Sequence, residues 1–108
     1  LKSETILKIH QYLHKEKKMF VSFTDWEFDG NVDNAVESAK GFWPAMKKHG
    51  ATNLRMTVTG DKTLRTMTIW SSEEKLKANI DEVRAAAASA AGMTSTGGMM
   101  GALAVELD

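Results

Sequence analysis

An α+β sandwich of strand–helix–strand–strand–helix–strand order is the fold class this 108-residue sequence predicts. Period is the first observation. From residue 19 onward, apolar residues recur with spacings near two, 3.6, two, two, 3.6 and two, in that order. Punctuation is the second: Asp29-Gly30, Gly50, Gly60-Asp61 and Gly92 fall where one period gives way to the next. The third is apolar content, 43% of the chain, enough for one core in one domain. Such an order places a four-stranded antiparallel sheet on one side and both helices on the other.

Before this pattern, residues 3 to 16 read as a helix, an N-terminal helical extension over residues 1–18. Ser3 caps it, Glu4 suits its positive end, and Ile6, Ile9 and Leu13 form a narrow apolar stripe. Met19 to Phe28 reads as the first strand. The next helix spans about Asn31 to His49, with Val32, Ala35, Val36, Ala39, Phe42, Trp43 and Met46 on one side and Gly50 as its stop. Leu54 to Thr59 and Leu64 to Trp70 read as a hairpin. Ser71-Ser72-Glu73-Glu74 is a capping-box signature, followed by Leu76, Ile80, Val83 and Ala87 at helical spacing. The alanine run 85–91 gives that helix a thin face able to sit close to a sheet. Residues 93–98 read as a mobile connection, a candidate lid, and Met100 to Leu107 as the last strand.

Composition narrows the function classes. Fourteen basic residues balance fourteen acidic ones, so neither a nucleic-acid nor a membrane-surface partner is expected. Without cysteine there is no disulfide, no thiolate metal site and no cysteine nucleophile. No stretch reads as a signal peptide or a membrane span, and the cytoplasm is the expected compartment.

Alternation along the strands sorts side chains onto two faces. One set, including Val21, Phe23, Leu54, Met56, Met67 and Ile69, is apolar and is expected under the helices. Leu103, Val105 and Leu107 extend it. The other set mixes hydroxyls, aromatics and a cation: Phe20, Ser22, Thr24 and Trp26, then Arg55 and Thr57, then Thr66, Thr68 and Trp70. That face is too polar for an ordinary core and too aromatic for open water. A small lumen closed by a second copy of the same sheet satisfies both demands. The competing reading is a thinly covered surface whose threonines reflect strand propensity.

These features, together with Phe42-Trp43-Pro44-Ala45-Met46-Lys47-Lys48-His49-Gly50-Ala51, resemble the dimeric α/β-barrel superfamily of ferredoxin-like chains. The resemblance covers Met19 to Asp108 and implies a homodimer that pairs sheet to sheet around a pocket. Superfamily members include antibiotic-biosynthesis monooxygenases and muconolactone isomerases, but they share no catalytic residue set, so no residue role is carried over.

Residue constellations were weighed for chemistry. His10 and His14 sit four apart on the first helix, but no third ligand is near, and no metal site is expected. Asp29, Asn31 and Asp33 open like a calcium loop, yet Asn34 and Lys40 occupy its sixth and twelfth positions, so helix capping explains them better. Gly92 to Gly98 lacks the Gly-Lys-Ser/Thr ending of a phosphate loop, and no cofactor is expected. The third strand offers no stacking aromatics at Arg65 to Ile69, against an RNA-recognition domain. Asp25 is either a water-facing edge carboxylate or a general base with raised pKa; His49 either caps its helix or reaches the pocket rim. Arg55 either grips an anion in bidentate fashion or pairs with Glu106.

Three functional readings follow. The first is a small-molecule-binding protein whose ligand, amphipathic or aromatic, lies on Phe20, Trp26 and Trp70 with its anionic or carbonyl end held by Arg55 and the Ser22, Thr57, Thr66 and Thr68 hydroxyls. The second, implied by the resemblance, is a cofactor-independent monooxygenase or isomerase with Asp25, His49 or Arg55 assisting proton transfer. The third is a dimerisation module with a filled lumen and no ligand.

Overall fold

The computed structural model describes residues 18–107, so the expected N-terminal helix, with His10 and His14, lies outside the described residues. Six elements follow: β1 (Phe20–Glu27), α1 (Val32–Lys48), β2 (Ala51–Gly60), β3 (Thr63–Trp70), α2 (Glu73–Ala91) and β4 (Thr94–Ala102). The sheet is antiparallel, in the order β2-β3-β1-β4. This is the ferredoxin-like βαββαβ sandwich, with both described helices on one sheet face.

Local chemistry sets the boundaries. The Asp29 carboxylate accepts from the Asn31 backbone N–H at 2.8 Å, and Asn31 Oδ1 accepts from Asn34 N–H at 3.0 Å. Thus the calcium-like residues are spent on turning the chain and capping α1. Ser72 Oγ accepts from Lys75 N–H at 3.2 Å and caps α2. Gly92 ends α2 in the left-handed conformation, φ 63° and ψ 31°, which a side chain rarely adopts.

The final strand is a correction. It begins at Thr94 and ends at Ala102, not Met100 to Leu107. Residues 94–98 are paired with β1, Gly98 opposite Thr24 and Gly97 opposite Asp25, so this segment is sheet rather than a mobile lid. Gly98 is sterically required: a Cβ there would collide with the Phe23 carbonyl oxygen.

The face assignment is also corrected. Ser22, Thr24, Trp26, Thr66 and Thr68 lie beneath α1 and α2, and Trp70 packs against Met46, Leu76 and Ile80 of the helices. The mixed face is therefore roofed by the chain's own helices and not by a second copy. Val21, Phe23, Met67 and Ile69 take the opposite face. One register shift explains the error. Gly60 pairs with Thr63, and carried forward unbroken that register would set Arg55 opposite Thr68. An irregularity between Val58 and Gly60 shifts the ladder by one residue, so Leu54 faces Thr68 and Arg55 faces Met67. A one-residue slip moves every β2 side chain to the other face.

Size explains why the mixed face is inside. Trp26 is 3% exposed and Trp70 is fully buried. Each indole removes about 150–250 Å² from water, worth about 4–6 kcal/mol at most. Small helix residues make room for them: Ala35, Ala87, Ala88 and Ala91 pack in the cluster around Trp26, Phe28 and Leu64. Their polar edges are met by neighbours, as Trp70 Nε1 donates to Ser22 Oγ at 3.0 Å and Trp26 Nε1 to Thr66 Oγ1 at 3.0 Å.

Two substitutions separate these contributions. Trp70→Ala is expected to lower unfolding free energy by about 3–5 kcal/mol through the cavity it leaves. Ser22→Ala, which strands a buried indole N–H, is expected to cost about 1–3 kcal/mol. Urea denaturation measures both, and a Ser22→Ala protein as stable as the parent contradicts the role given to that bond.

Candidate functional site

Between the sheet and its two helices lies a cavity of about 50 Å³. β1 and β3 supply its hydroxyl floor (Ser22, Thr24, Thr66 and Thr68), and β2 adds Leu54 and Met56. α1 closes one side with Ala39 and Phe42, α2 the other with Val83 and Arg84, and Met93 reaches it from beyond α2. Ser22, Thr24 and Thr68 are 2%, 3% and 5% exposed, so these hydroxyls belong to the interior.

Three floor hydroxyls already accept a hydrogen bond. Ser22 and Thr66 accept from the indoles, and Thr24 Oγ1 accepts from Arg84 Nε at 3.1 Å. A hydroxyl whose oxygen accepts still has its own O–H to donate. The floor is thus a set of fixed donors beside one cation. Among the described residues that line the cavity, Arg84 is the only ionisable one. Its guanidinium also lies against Gly98, where a Cβ would come within 3.0 Å of Nη2, so the missing side chain of β4 makes the space that Arg84 fills. A half-buried guanidinium beside hydroxyl donors can hold a carboxylate, phenolate or carbonyl oxygen.

The expected site residues divide. Ser22, Trp26, Thr66 and Thr68 line the cavity together. Phe20 and Trp70 belong to the adjoining core with Met46 and Leu76. Arg55 and Thr57 stand opposite Met67 and Arg65, on the other sheet face, and are exposed. Arg55 Nη1 donates to Asn53 Oδ1 at 2.6 Å, not to Glu106. His49 is exposed at the end of α1, where its backbone N–H donates to the Ala45 and Met46 carbonyls, and it does not line the cavity.

Asp25 is likewise outside. It pairs across β1 and β3 with Arg65, whose Nε and Nη2 reach its two carboxylate oxygens at 2.7 and 3.1 Å. The hydrogen bond from Arg65, helped by its charge against a smaller desolvation effect, holds the Asp25 carboxyl below its ordinary range. A general base needs the opposite shift.

Two residues were missed by sequence reasoning. Arg84 follows Ile80 by four positions and precedes Ala87 by three, which puts it on the buried stripe of α2; helical spacing alone marked it. Thr24, grouped with Ser22, Trp26, Thr66 and Thr68, is not distinguished from its neighbours by the sequence. Gly98 had no such signal, since its role depends on a strand pairing that the residues 93–98 did not announce.

Neither a family model nor a curated protein matches this sequence. Solved structures do match. A dimeric ferredoxin-like protein from an uncultured marine organism superposes with a TM-score of 0.60 at 17% identity, covering 84% of this chain and 100% of that one. SnoaB, a cofactor-independent oxygenase from Streptomyces nogalater, gives 0.60 at 9% identity over 84% and 96%. A monooxygenase of Streptomyces coelicolor, solved with nanaomycin D, gives 0.60 at 18% identity over 83% and 91%. The likeness establishes the fold.

The Asp25–Arg65 pair has a pH signature. Because the folded carboxyl titrates below the ordinary value near 3.8, the pair adds stability above that value and loses it as pH falls through the folded pKa. Asp25→Asn is expected to lower Tm slightly at pH 7 and to match the parent at strongly acidic pH. A constant Tm difference across that range contradicts the assignment.

Proposed function

We propose that this protein is a homodimeric small-molecule-binding protein whose ligand occupies the cavity between the sheet and the chain's own helices. The carrying observation is the lining itself, mostly apolar, with two aromatic side chains, a floor of hydroxyls and one cation beside it among the described residues. The ligand's apolar body rests against Trp26, Met56 and Phe42, and its anionic or carbonyl oxygen meets Arg84 and Thr24. At about 50 Å³ the cavity holds little more than a water or two, so an aromatic ligand enters as Met56, Met93 and Phe42 shift. Support for the homodimer comes from the dimeric ferredoxin-like proteins of the same fold. The second sheet face, with Phe23, Met67 and the exposed Met99, supplies apolar surface for it.

A second reading, a cofactor-independent oxygenase, is favoured by one observation: among the described residues lining the cavity, the one charge is positive. Such a charge stabilises a phenolate, the electron-rich form of a phenol that reacts with O2. Overall, a phenol and O2 give a quinone and water, one oxygen atom entering the ring in place of hydrogen. SnoaB and the Streptomyces coelicolor monooxygenase share the fold. Since the described residues of the lining include neither carboxylate nor imidazole, the phenol proton leaves to solvent in this reading. The same lack disfavours an isomerase, which must move a proton between two carbons.

Titration calorimetry with 1-naphthoate and with neutral 1-naphthalenemethanol tests the site. Arg84→Ala is expected to weaken naphthoate binding about tenfold or more, as loss of a charge-assisted bond does, and to leave the alcohol little changed. Arg55→Ala is expected to alter neither. Equal naphthoate affinity in parent and Arg84→Ala removes the cavity as the site, and no binding of either probe supports the ligand-free dimerisation module. Oxygen uptake with 1-naphthol decides between binding protein and oxygenase.

A further inference from the structure

A second cavity, of about 120 Å³, opens between α1 and α2. Phe42, Ala45 and Met46 of α1 meet Val83 and Ala86 of α2 around it, and the small side chains at 45 and 86 leave the gap. For scale, an apolar cavity of about 150 Å³ holds benzene. This one has room for a short chain or most of a single ring.

Its polar lining favours one kind of partner. Asn79 is 9% exposed, and its Nδ2 donates to the Lys75 carbonyl at 2.7 Å and to the His49 carbonyl at 3.4 Å. Both N–H groups of the amide are committed to backbone, so Oδ1 is what Asn79 offers the cavity, and that oxygen only accepts. Glu82 adds a carboxylate three residues on, from the same face of α2. His49, the C-cap of α1, completes the rim. No lysine or arginine joins them among the described residues lining the cavity. Lys47, in the last turn of α1, lies over Trp43 instead, with Nζ 5.9 Å from the ring centre.

The charge of Glu82 is otherwise unanswered. Three and four positions away on α2 stand Ala78, Asn79, Ala85 and Ala86, none of them basic. Among the described residues its carboxylate makes no ion pair. The cavity also adjoins the C-terminal turn of α1, the negative end of that helix. These features favour a cation, and the apolar walls favour one with a carbon body over a bare metal ion.

We propose that this cavity binds a small organic ammonium, its carbon body against Phe42, Met46 and Val83 and its N–H groups on Asn79 Oδ1 and the Glu82 carboxylate. The inner cavity has Arg84 and no carboxylate among its described lining residues, so the two sites differ in the charge they accept. Phe42, Met46 and Val83 form a wall common to both, whereas Asn79 and Ala86 line only the outer one and report on it alone.

Benzylammonium, neutral benzyl alcohol and benzoate, each titrated into 15N-labelled protein, test the site. Benzylammonium is expected to give saturable shifts at the Asn79 side-chain amide and the backbone amides of residues 82–86. The alcohol should need a higher concentration, and benzoate should not saturate there. Glu82→Gln should weaken benzylammonium about two- to fivefold, as loss of an exposed ion pair does, and leave the alcohol unchanged. Ala86→Leu, or Ala45→Leu from the opposite helix, should abolish the shifts by filling the space. Equal affinity for ammonium and alcohol, ammonium binding indifferent to Glu82→Gln, or shifts that persist in the filled variants overturn the proposal.

Discussion

The parity of two neighbouring strands governs this molecule. β1 and β3 pair Phe20 with Trp70, Ser22 with Thr68, and Trp26 with Leu64, and whichever side those residues take becomes the interior. Two indoles are too large to leave in water, so the hydroxyls sharing their face are carried inside with them. Those hydroxyls would be costly there without partners. The indole N–H groups and Arg84 supply them, and among the described residues no buried side-chain nitrogen or oxygen lacks a hydrogen bond. Burial and polarity, normally opposed, are reconciled by cross-strand pairing.

That arrangement ties the helices to the sheet's composition. A floor bearing tryptophans needs thin helices, and both α1 and α2 face it with alanines. Where large and small residues alternate imperfectly, a gap remains, bounded by Phe42, Met56 and Met93 and ended by Arg84. The cavity is thus a by-product of fitting a polar, aromatic sheet under narrow helices. Its chemistry follows from the floor hydroxyls and from the cation, which bonds Thr24 and lies against Gly98.

Much of the fold was legible in the sequence. Period marked all six described elements, and caps at Asn31 and Ser72 and the stop at Gly92 were placed where the backbone uses them. β1 and β3 were also grouped correctly face by face. What failed was β2, because alternation fixes parity only within a strand, and the irregularity between Val58 and Gly60 leaves no mark on composition. Joining Leu54 and Met56 to Val21 and Phe23 made one face look wholly apolar, and the helices were assigned to it. Arg55 was carried to the candidate site by the same slip, and Arg84 was passed over. β4 was misplaced because Thr-Ser-Thr-Gly-Gly reads as a loop until its partner, β1, is known.

The central claim is that the threonine and tryptophan face forms a binding cavity inside each chain. Three tryptophans make it directly measurable by the indole N–H signals of a 15N-labelled protein titrated with 1-naphthoate. Binding in the cavity gives saturable shifts at Trp26 and Arg84 Nε, with Trp43 unmoved. Shifts confined to Trp43, or none that saturate, contradict it.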